Sequence, residues 1–338
     1  MHNLSEALPT EILPWQGAPW QQLWHAKQQQ RLAHAVLLVG IDGIGKTQFA
    51  FAFAAALLCS KPSETGVRCG LCHSCCMINA KMHPDLVVIE PEEAGKKIGV
   101  DQIRDIIKNV NETTLKGGFR VIIIHPATAM NVNAANALLK TLEEPAPNTL
   151  LILVSNQGLR LPATIISRCQ KVNFSRPTQD EALHWLNQQI TDAKVDPQLL
   201  LKLADGAPLK ALVLLENDLL SLRHELYQSF HSLSAGQGNP IQLAAKWHDA
   251  DHLSVVDLLL SWLTDLLRFK LTQNQADLVN ADYKNEITKI SVSLLHNNLL
   301  AYMDHLQQTR ADLLGSVNLN KQLLLEDLFI RWAQYVPR

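Results

Sequence analysis

No apolar stretch in this 338-residue chain approaches the roughly 20 residues that a membrane-spanning helix needs, so a bilayer is not an expected partner. The chain also lacks a block of one charge sign. Its 30 Lys and Arg stand against 32 Asp and Glu, a net charge of −2, which argues against strong independent binding to DNA. Internal repeats and low-complexity tracts are missing, apart from the short Gln28-Gln29-Gln30. No charged-then-apolar leader opens the chain, so the expected compartment is the cytoplasm, where disulfides are rare. Aromatic residues are sparse at 6%; Trp15, Trp20 and Trp24, close to Pro14 and Pro19, are expected to pack a first helix rather than stack on bases. What is present is a 47% hydrophobic content, enough for two or three domains with their own cores.

The cysteines are few and clustered. Cys59, Cys69, Cys72 and Cys75 have the spacing C-x9-C-x2-C-x2-C, two overlapping C-x2-C units with one outlier. Four thiolates so placed can surround a structural Zn²⁺ tetrahedrally; buried or redox-active thiols are the plainer alternative. Cys76 would point away if Cys75 ligates; His73 could substitute as a ligand, though a lone His beside four cysteines is more often a bystander.

Residues 40–47, Gly-Ile-Asp-Gly-Ile-Gly-Lys-Thr, fill the pattern G-x4-G-K-[ST]. The apolar run Ala35–Val39 precedes them as a strand, and Lys46 opens a helix, which is the context the pattern requires. Gly40, Gly43 and Gly45 punctuate the turn, and the last two let the backbone close on phosphates. Lys46 would reach the β and γ phosphates of ATP, and Thr47 would offer a hydroxyl to Mg²⁺. In Gln48–Leu58 the phenylalanines alternate with alanine as in a strand, but position and alanine content favour a buried helix.

A hydrolase of this kind needs an acid at the tip of a second buried strand. The expected strand Phe119–Ile124 runs instead into His125-Pro126, and neither residue supplies a carboxylate. Glu143 and Glu144 end an expected helix Asn133–Glu144, stopped by Pro145, and read as solvated or interface-facing carboxylates. Binding of ATP with little hydrolysis is the expectation. A further strand, Leu150–Ser155, ends beside Asn156, and Ser167-Arg168-Cys169 follows shortly after. A strand-tip polar residue can orient a γ-phosphate, and an edge arginine can reach a neighbour's phosphate, but alone each says little.

Taken in order, the phosphate loop, the four-cysteine insertion, Asn136-Ala-Leu-Leu-Lys-Thr-Leu-Glu-Glu-Pro145, Ser155-Asn156 and Ser167-Arg168-Cys169 resemble the bacterial clamp-loader ATPases of the AAA+ class. Asn318–Leu328 resembles that family's last collar helix, so the likeness spans nearly the whole chain. It implies an α/β AAA+ nucleotide-binding domain over residues 1–174 with a zinc module at about 59–76. A helical lid over 175–210 and an all-α collar for oligomerisation over 211–338 would follow. The residues agree: after Phe174-Ser-Arg-Pro177, helical spacing takes over. Helices are expected at Thr178–Ile190 and Asp196–Ala204, along Val256, Leu259, Leu260, Leu263 and Leu267, and over 289–306 and 320–335.

The resemblance also implies roles. Arg168 would act as an arginine finger in trans, and Asn156 would take the first sensor position. Lys210 would lie near the second sensor position, with no role assigned. The missing acid and the length fit a stator subunit better than the gamma or tau motor. Expected partners are those motor subunits and the delta subunit in a heteropentameric ring, with the sliding clamp and primed DNA reached through the complex. Such a chain would be an accessory of a DNA-directed DNA polymerase, a nucleotidyltransferase, and would turn over little ATP by itself. A hydrolysing motor subunit is one rival reading, and a P-loop small-molecule kinase is another.

Overall fold

The structure, a computed structural model, describes residues 11–93, 95–110, 118–156, 161–192, 195–274, 278–314 and 320–335. Two compact units emerge. The first comprises residues 1–188 and 207–210, and the second 189–206 and 211–338.

The first unit alternates helix and strand: α1 (Gly17–Gln28), β1 (Ala35–Val39), α2 (Lys46–Leu58), α3 (His73–Asn79), β2 (Leu86–Ile89), α4 (Val100–Val110), β3 (Arg120–Ile124), α5 (Val132–Glu143), β4 (Thr149–Ser155), α6 (Ala163–Ile166), β5 (Gln170–Asn173) and α7 (Gln179–Gln189). Its sheet has the order β2-β3-β4-β1-β5 with every pair parallel. Both faces are covered, which is why the central strands are continuous Val, Ile and Leu runs rather than alternating ones. Side chains still divide by the period of two. Val36, Leu38, Val121, Ile123, Leu150, Ile152 and Val154 face the aromatic cluster of α1 and α2. Ala35, Leu37, Ile122, Ile124, Leu151 and Leu153 pack with Ile103 of α4, Leu138 and Leu142 of α5, and Ile165 of α6.

α2 resolves the ambiguity of its alternating phenylalanines. Phe49, Phe51 and Phe53 are all at most 4% exposed, so the helix is buried all round and need not gather its large residues on one face. Phe49 and Phe53, four residues apart, stack with ring centroids 6.2 Å apart, and Trp20 meets both edge-on. The expected strands over 119–124 and 150–155 are found with starts at Arg120 and Thr149. β5 was not foreseen: Gln-Lys-Val-Asn is short and polar because it is an edge strand with one neighbour.

The second unit is helical: α8 (Pro197–Leu203), α9 (Pro208–Glu216, whose start belongs to the first unit), α10 (Leu219–Ser234), α11 (Pro240–Lys246), α12 (His252–Thr272), α13 (Lys284–Ser293), α14 (His296–Leu314) and α15 (Lys321–Tyr335). Asp196, Asn239 and Asp251 cap α8, α11 and α12 through side-chain oxygens that accept early backbone N–H groups. The helix expected over 289–306 is in fact two, because Leu294 turns extended (φ −82°, ψ 139°). Lys270 Nζ secures that break by donating to the carbonyls of Ser291 and Leu294, both at 2.7 Å. In the core, Tyr302 is fully buried and its hydroxyl donates to the Leu328 carbonyl at 3.0 Å. Asp265, also fully buried, accepts the backbone N–H groups of Val279 and Asn280 at 3.0 and 2.7 Å, which offsets the cost of its burial. Among the described residues, no helix is long and apolar enough to cross a membrane.

Candidate nucleotide and metal centres

The phosphate loop leaves β1 at Gly40 and enters α2 at Lys46, so the helix N-terminus and its unpaired N–H groups face the loop's concavity. Gly43 and Gly45 take φ of +76° and +84°, a left-handed backbone that glycine adopts at least cost. At Gly43 space is also closed: an added Cβ would lie 2.5 Å from Lys210 Cβ and 2.7 Å from Lys210 N. The Leu209 amide donates to the Gly43 carbonyl at 3.0 Å, so the start of α9 is pinned to the loop. Gly43→Ala combines a disfavoured φ with this clash and is expected to destabilise the first unit by about 1–3 kcal/mol, read as a fall in thermal midpoint.

A second support was not foreseen. Gln16, fully buried, donates from Nε2 to the carbonyls of Ile44 and Gly45 at 3.1 and 2.9 Å, and its Oε1 accepts the Leu13 amide at 2.9 Å. Trp15 Nε1 donates to the same Ile44 carbonyl at 3.0 Å. The segment before α1 therefore clasps the outer side of the loop, whereas the expectation gave Trp15 only a packing role. Trp20 and Trp24 do pack as expected, and their indole N–H groups donate to Thr65 and Glu64 carbonyls at 2.9 and 2.8 Å.

Lys46 is buried, and its ammonium donates to the Ile41 carbonyl. Burial draws its pKa down to about 8, with Asp42 pulling the other way. Next to it, the Thr47 hydroxyl lies 3.2 Å from Nδ1 of His125, the residue that follows β3 through a cis bond to Pro126. The strand thus delivers an imidazole where a hydrolytic carboxylate was looked for. Burial lowers the His125 pKa, helped by Lys46 and opposed by Asp42, which favours the neutral ring at physiological pH. A neutral imidazole can exchange a hydrogen bond with Thr47 but brings no negative charge.

Ser155 pairs in register with Val39, so Asn156 lies half-buried just past the end of the central strand β4, beside the point where Gly40 leaves β1. Arg168 follows α6 on the surface. Its Nη2 donates to Glu143 Oε1 at 2.6 Å and its Nη1 to the Thr164 carbonyl at 3.0 Å. Glu143 and Glu144 are both exposed at the end of α5. The ion pair joins residues 25 apart in the chain, and no spacing rule reveals it.

The four cysteines converge as the spacing suggested. Their sulfurs lie within 4.8 Å of one another, with Cys59–Cys69 at 3.5 Å, Cys59–Cys72 at 3.9 Å and Cys69–Cys75 at 4.0 Å. Ligands at about 2.3 Å around a tetrahedral zinc are separated by about 3.8 Å, so the donor set fits that ion. Backbone amides of Lys61 and Cys69 donate to Cys59 Sγ, Cys72 to Cys69 Sγ, and Cys75 to Cys72 Sγ, at 3.3–3.5 Å. Such N–H···S bonds spread thiolate charge and fix the sulfurs. Burial pushes the Cys75 thiol up to about 12 and raises Cys59. At Cys72 burial also raises the pKa, but hydrogen bonds from Ser60 and the Cys75 amide outweigh it and bring it to about 5.

Comparison with known proteins is concordant along the chain. The family model described as DNA polymerase III, delta subunit, matches residues 15–178, and a second one, for the C terminal of the same delta subunit, matches 217–334. The DNA polymerase III subunit delta' of Pseudomonas aeruginosa is 40% identical over 324 residues, covering 96% of this chain and 98% of the relative. Its namesake from Escherichia coli K12 is 30% identical, covering 96% of each. A solved gamma subunit-related protein of DNA polymerase III from Thermotoga maritima aligns with 94% of this chain and 100% of its own, at 17% identity and a TM-score of 0.42.

Proposed function

Since the chain belongs to the delta-prime family of DNA polymerase III clamp-loader subunits, we propose that it serves as the stator of the loader ring, holding a fixed place while neighbouring subunits hydrolyse ATP. The observation that carries this reading is the His125 imidazole against the Thr47 hydroxyl at 3.2 Å. A site with a whole phosphate loop and no acid after β3 is suited to hold a nucleotide and poorly suited to activate water on it. The chemistry it contributes is then Arg168, offered in trans to the γ-phosphate of an adjacent gamma or tau subunit, with Asn156 in the first sensor position. Arg168's exposure and its hold on the end of α5 support that assignment, since a finger must be reachable and oriented.

ATP suits the loop by the residues present: Gly40, Gly43, Gly45, Lys46 and Thr47 would hold its phosphates. Bound there, ATP would serve as a structural brace rather than a fuel. Zn²⁺ held by Cys59, Cys69, Cys72 and Cys75 would stabilise the segment between α2 and β2. In the three-part division, residues 1–174 form the AAA+-like domain, 175–210 the lid and 211–338 the collar that joins the ring with delta and the motor subunits. Sliding clamp and primed DNA would be met through the assembled loader in the cytoplasm.

Reconstitution tests the placement. Full-length protein mixed with delta and tau or gamma should enter one complex on gel filtration and restore clamp loading. The chain ending at 210 should remain folded by circular dichroism and fail to enter. Entry of the truncated chain would remove the collar assignment. The motor reading keeps one route back, since it requires ATP turnover by the isolated chain that Lys46→Ala abolishes. The small-molecule kinase reading has no observation in its favour.

A further inference from the structure

We propose that this phosphate loop binds its nucleoside triphosphate without recruiting Mg²⁺, the anion being met by Lys46 and backbone N–H groups alone. The inference rests on the nucleotide reading above and concerns the ion that usually accompanies it. In a P-loop site Mg²⁺ is shared between the loop hydroxyl and a carboxylate at the tip of a second buried strand. Mg²⁺ is a hard cation that demands oxygen ligands in near-octahedral array. Here Thr47 supplies the hydroxyl, but the group 3.2 Å from it is a ring nitrogen of His125, with the second ring nitrogen at 3.4 Å. The oxygen partner of the ion has been replaced by a softer nitrogen that brings no charge, so the residues present do not fit Mg²⁺.

The remaining charges point the same way. Lys46 is the buried cation at the loop, its ammonium resting on the Ile41 carbonyl, a contact that phosphate oxygens can take over. Asp42 is the carboxylate whose field reaches both Lys46 and His125, and it stands exposed at the crown of the loop rather than at the tip of β3. Removing an acid from a phosphate site makes the site more positive. That change favours the more highly charged metal-free nucleotide and weakens the case for a third, cationic party.

Titration of the full-length protein with ATP, followed by isothermal calorimetry, decides the matter. One arm contains millimolar Mg²⁺, and the other uses buffer freed of divalent ions on chelating resin, with no soluble chelator that would strip the cysteine site. Affinities in the two arms are expected to agree within much less than about tenfold. Lys46→Ala should lose binding in both arms. His125→Asp, which restores an acid at the strand tip, should make binding tighter with Mg²⁺ than without. Circular dichroism and thermal midpoints establish that both variants are folded, and the wild-type comparison needs no variant at all. Wild-type binding that strengthens more than about tenfold with Mg²⁺ overturns this inference and leaves the nucleotide reading standing. Absence of binding in both arms overturns the nucleotide reading and this inference with it.

Discussion

A reconstituted clamp loader carrying Arg168→Ala is expected to assemble normally and to lose one ATPase site. Arginine fingers contribute on the order of 10³ or more in rate, roughly 4 kcal/mol of transition-state stabilisation, at the site they reach. The loss should therefore appear as a silent site rather than a uniform slowing. The environment of Arg168 makes the expectation specific. Its pair with Glu143 is more than a third exposed on both sides, and exposed pairs contribute about 0–1 kcal/mol. A neighbour's triphosphate, with several negative charges, readily outcompetes one solvated carboxylate. Arg168→Lys should not rescue the site, because a point charge cannot reproduce the planar fork. The measurement is clamp- and DNA-stimulated ATPase alongside gel filtration of the same complexes. Unchanged turnover in an intact ring would mean that Arg168 faces no nucleotide, and the stator reading would lose its chemistry.

Loss of the metal centre should be the second large effect. The purified chain is expected to carry stoichiometric zinc by plasma emission spectroscopy, and Cys75→Ser should carry almost none. Structural zinc contributes an apparent 10–16 kcal/mol or so to folding in zinc-finger peptides, far more than the few contacts that otherwise order a short cysteine-rich loop. Without metal, four sulfurs within 4.8 Å of one another cannot all be ionised, and the burial that raises Cys59 and Cys75 keeps those two protonated. Acidification releases the ion in the same sense, since protons and metal compete for the same lone pairs. The damage should be local. α2 is held by the sheet and by the Trp20, Phe49 and Phe53 cluster, whereas α3 has Cys72 as its N-cap and Cys75 within its first turn. Limited proteolysis of metal-free protein should therefore cut between residues 59 and 76 and leave the remainder intact. Full zinc occupancy in Cys75→Ser would refute the four-thiolate site.

Local chemistry was the legible part of this sequence. The loop glycines, Lys46, the cysteine spacing and the apolar strands each state their own geometry within a few residues. Pro145 as a stop, with the apolar spacing before it, made α5 readable to within a residue at either end, although its cap, Asn131, was not foreseen. Contacts across long separations were not readable. Gln16 reaches the loop from 28 residues away, Glu143 reaches Arg168 across 25, and Lys270 caps α13 from the preceding helix. None of these residue types is unusual where it stands. β5 escaped for the opposite reason, since an edge strand with one neighbour needs little of the apolar signature that betrayed the others. The break in α13–α14 escaped because Leu294 and Leu295 continue the apolar spacing on which the longer helix was read.

The clasp of Trp15 on the Ile44 carbonyl makes the chain its own optical gauge. The indole N–H is committed to the backbone of the phosphate loop at 3.0 Å, and its ring meets Trp185 of α7 edge-on at 5.5 Å. Any rearrangement of the loop around an anion changes the polarity and the quenching that this indole experiences. Trp20 and Trp24 are tethered instead to the carbonyls of residues 64–65, away from the loop backbone. An emission shift that vanishes in Trp15→Phe would thus follow the loop's occupancy in unlabelled protein, inside the assembled ring as readily as outside it.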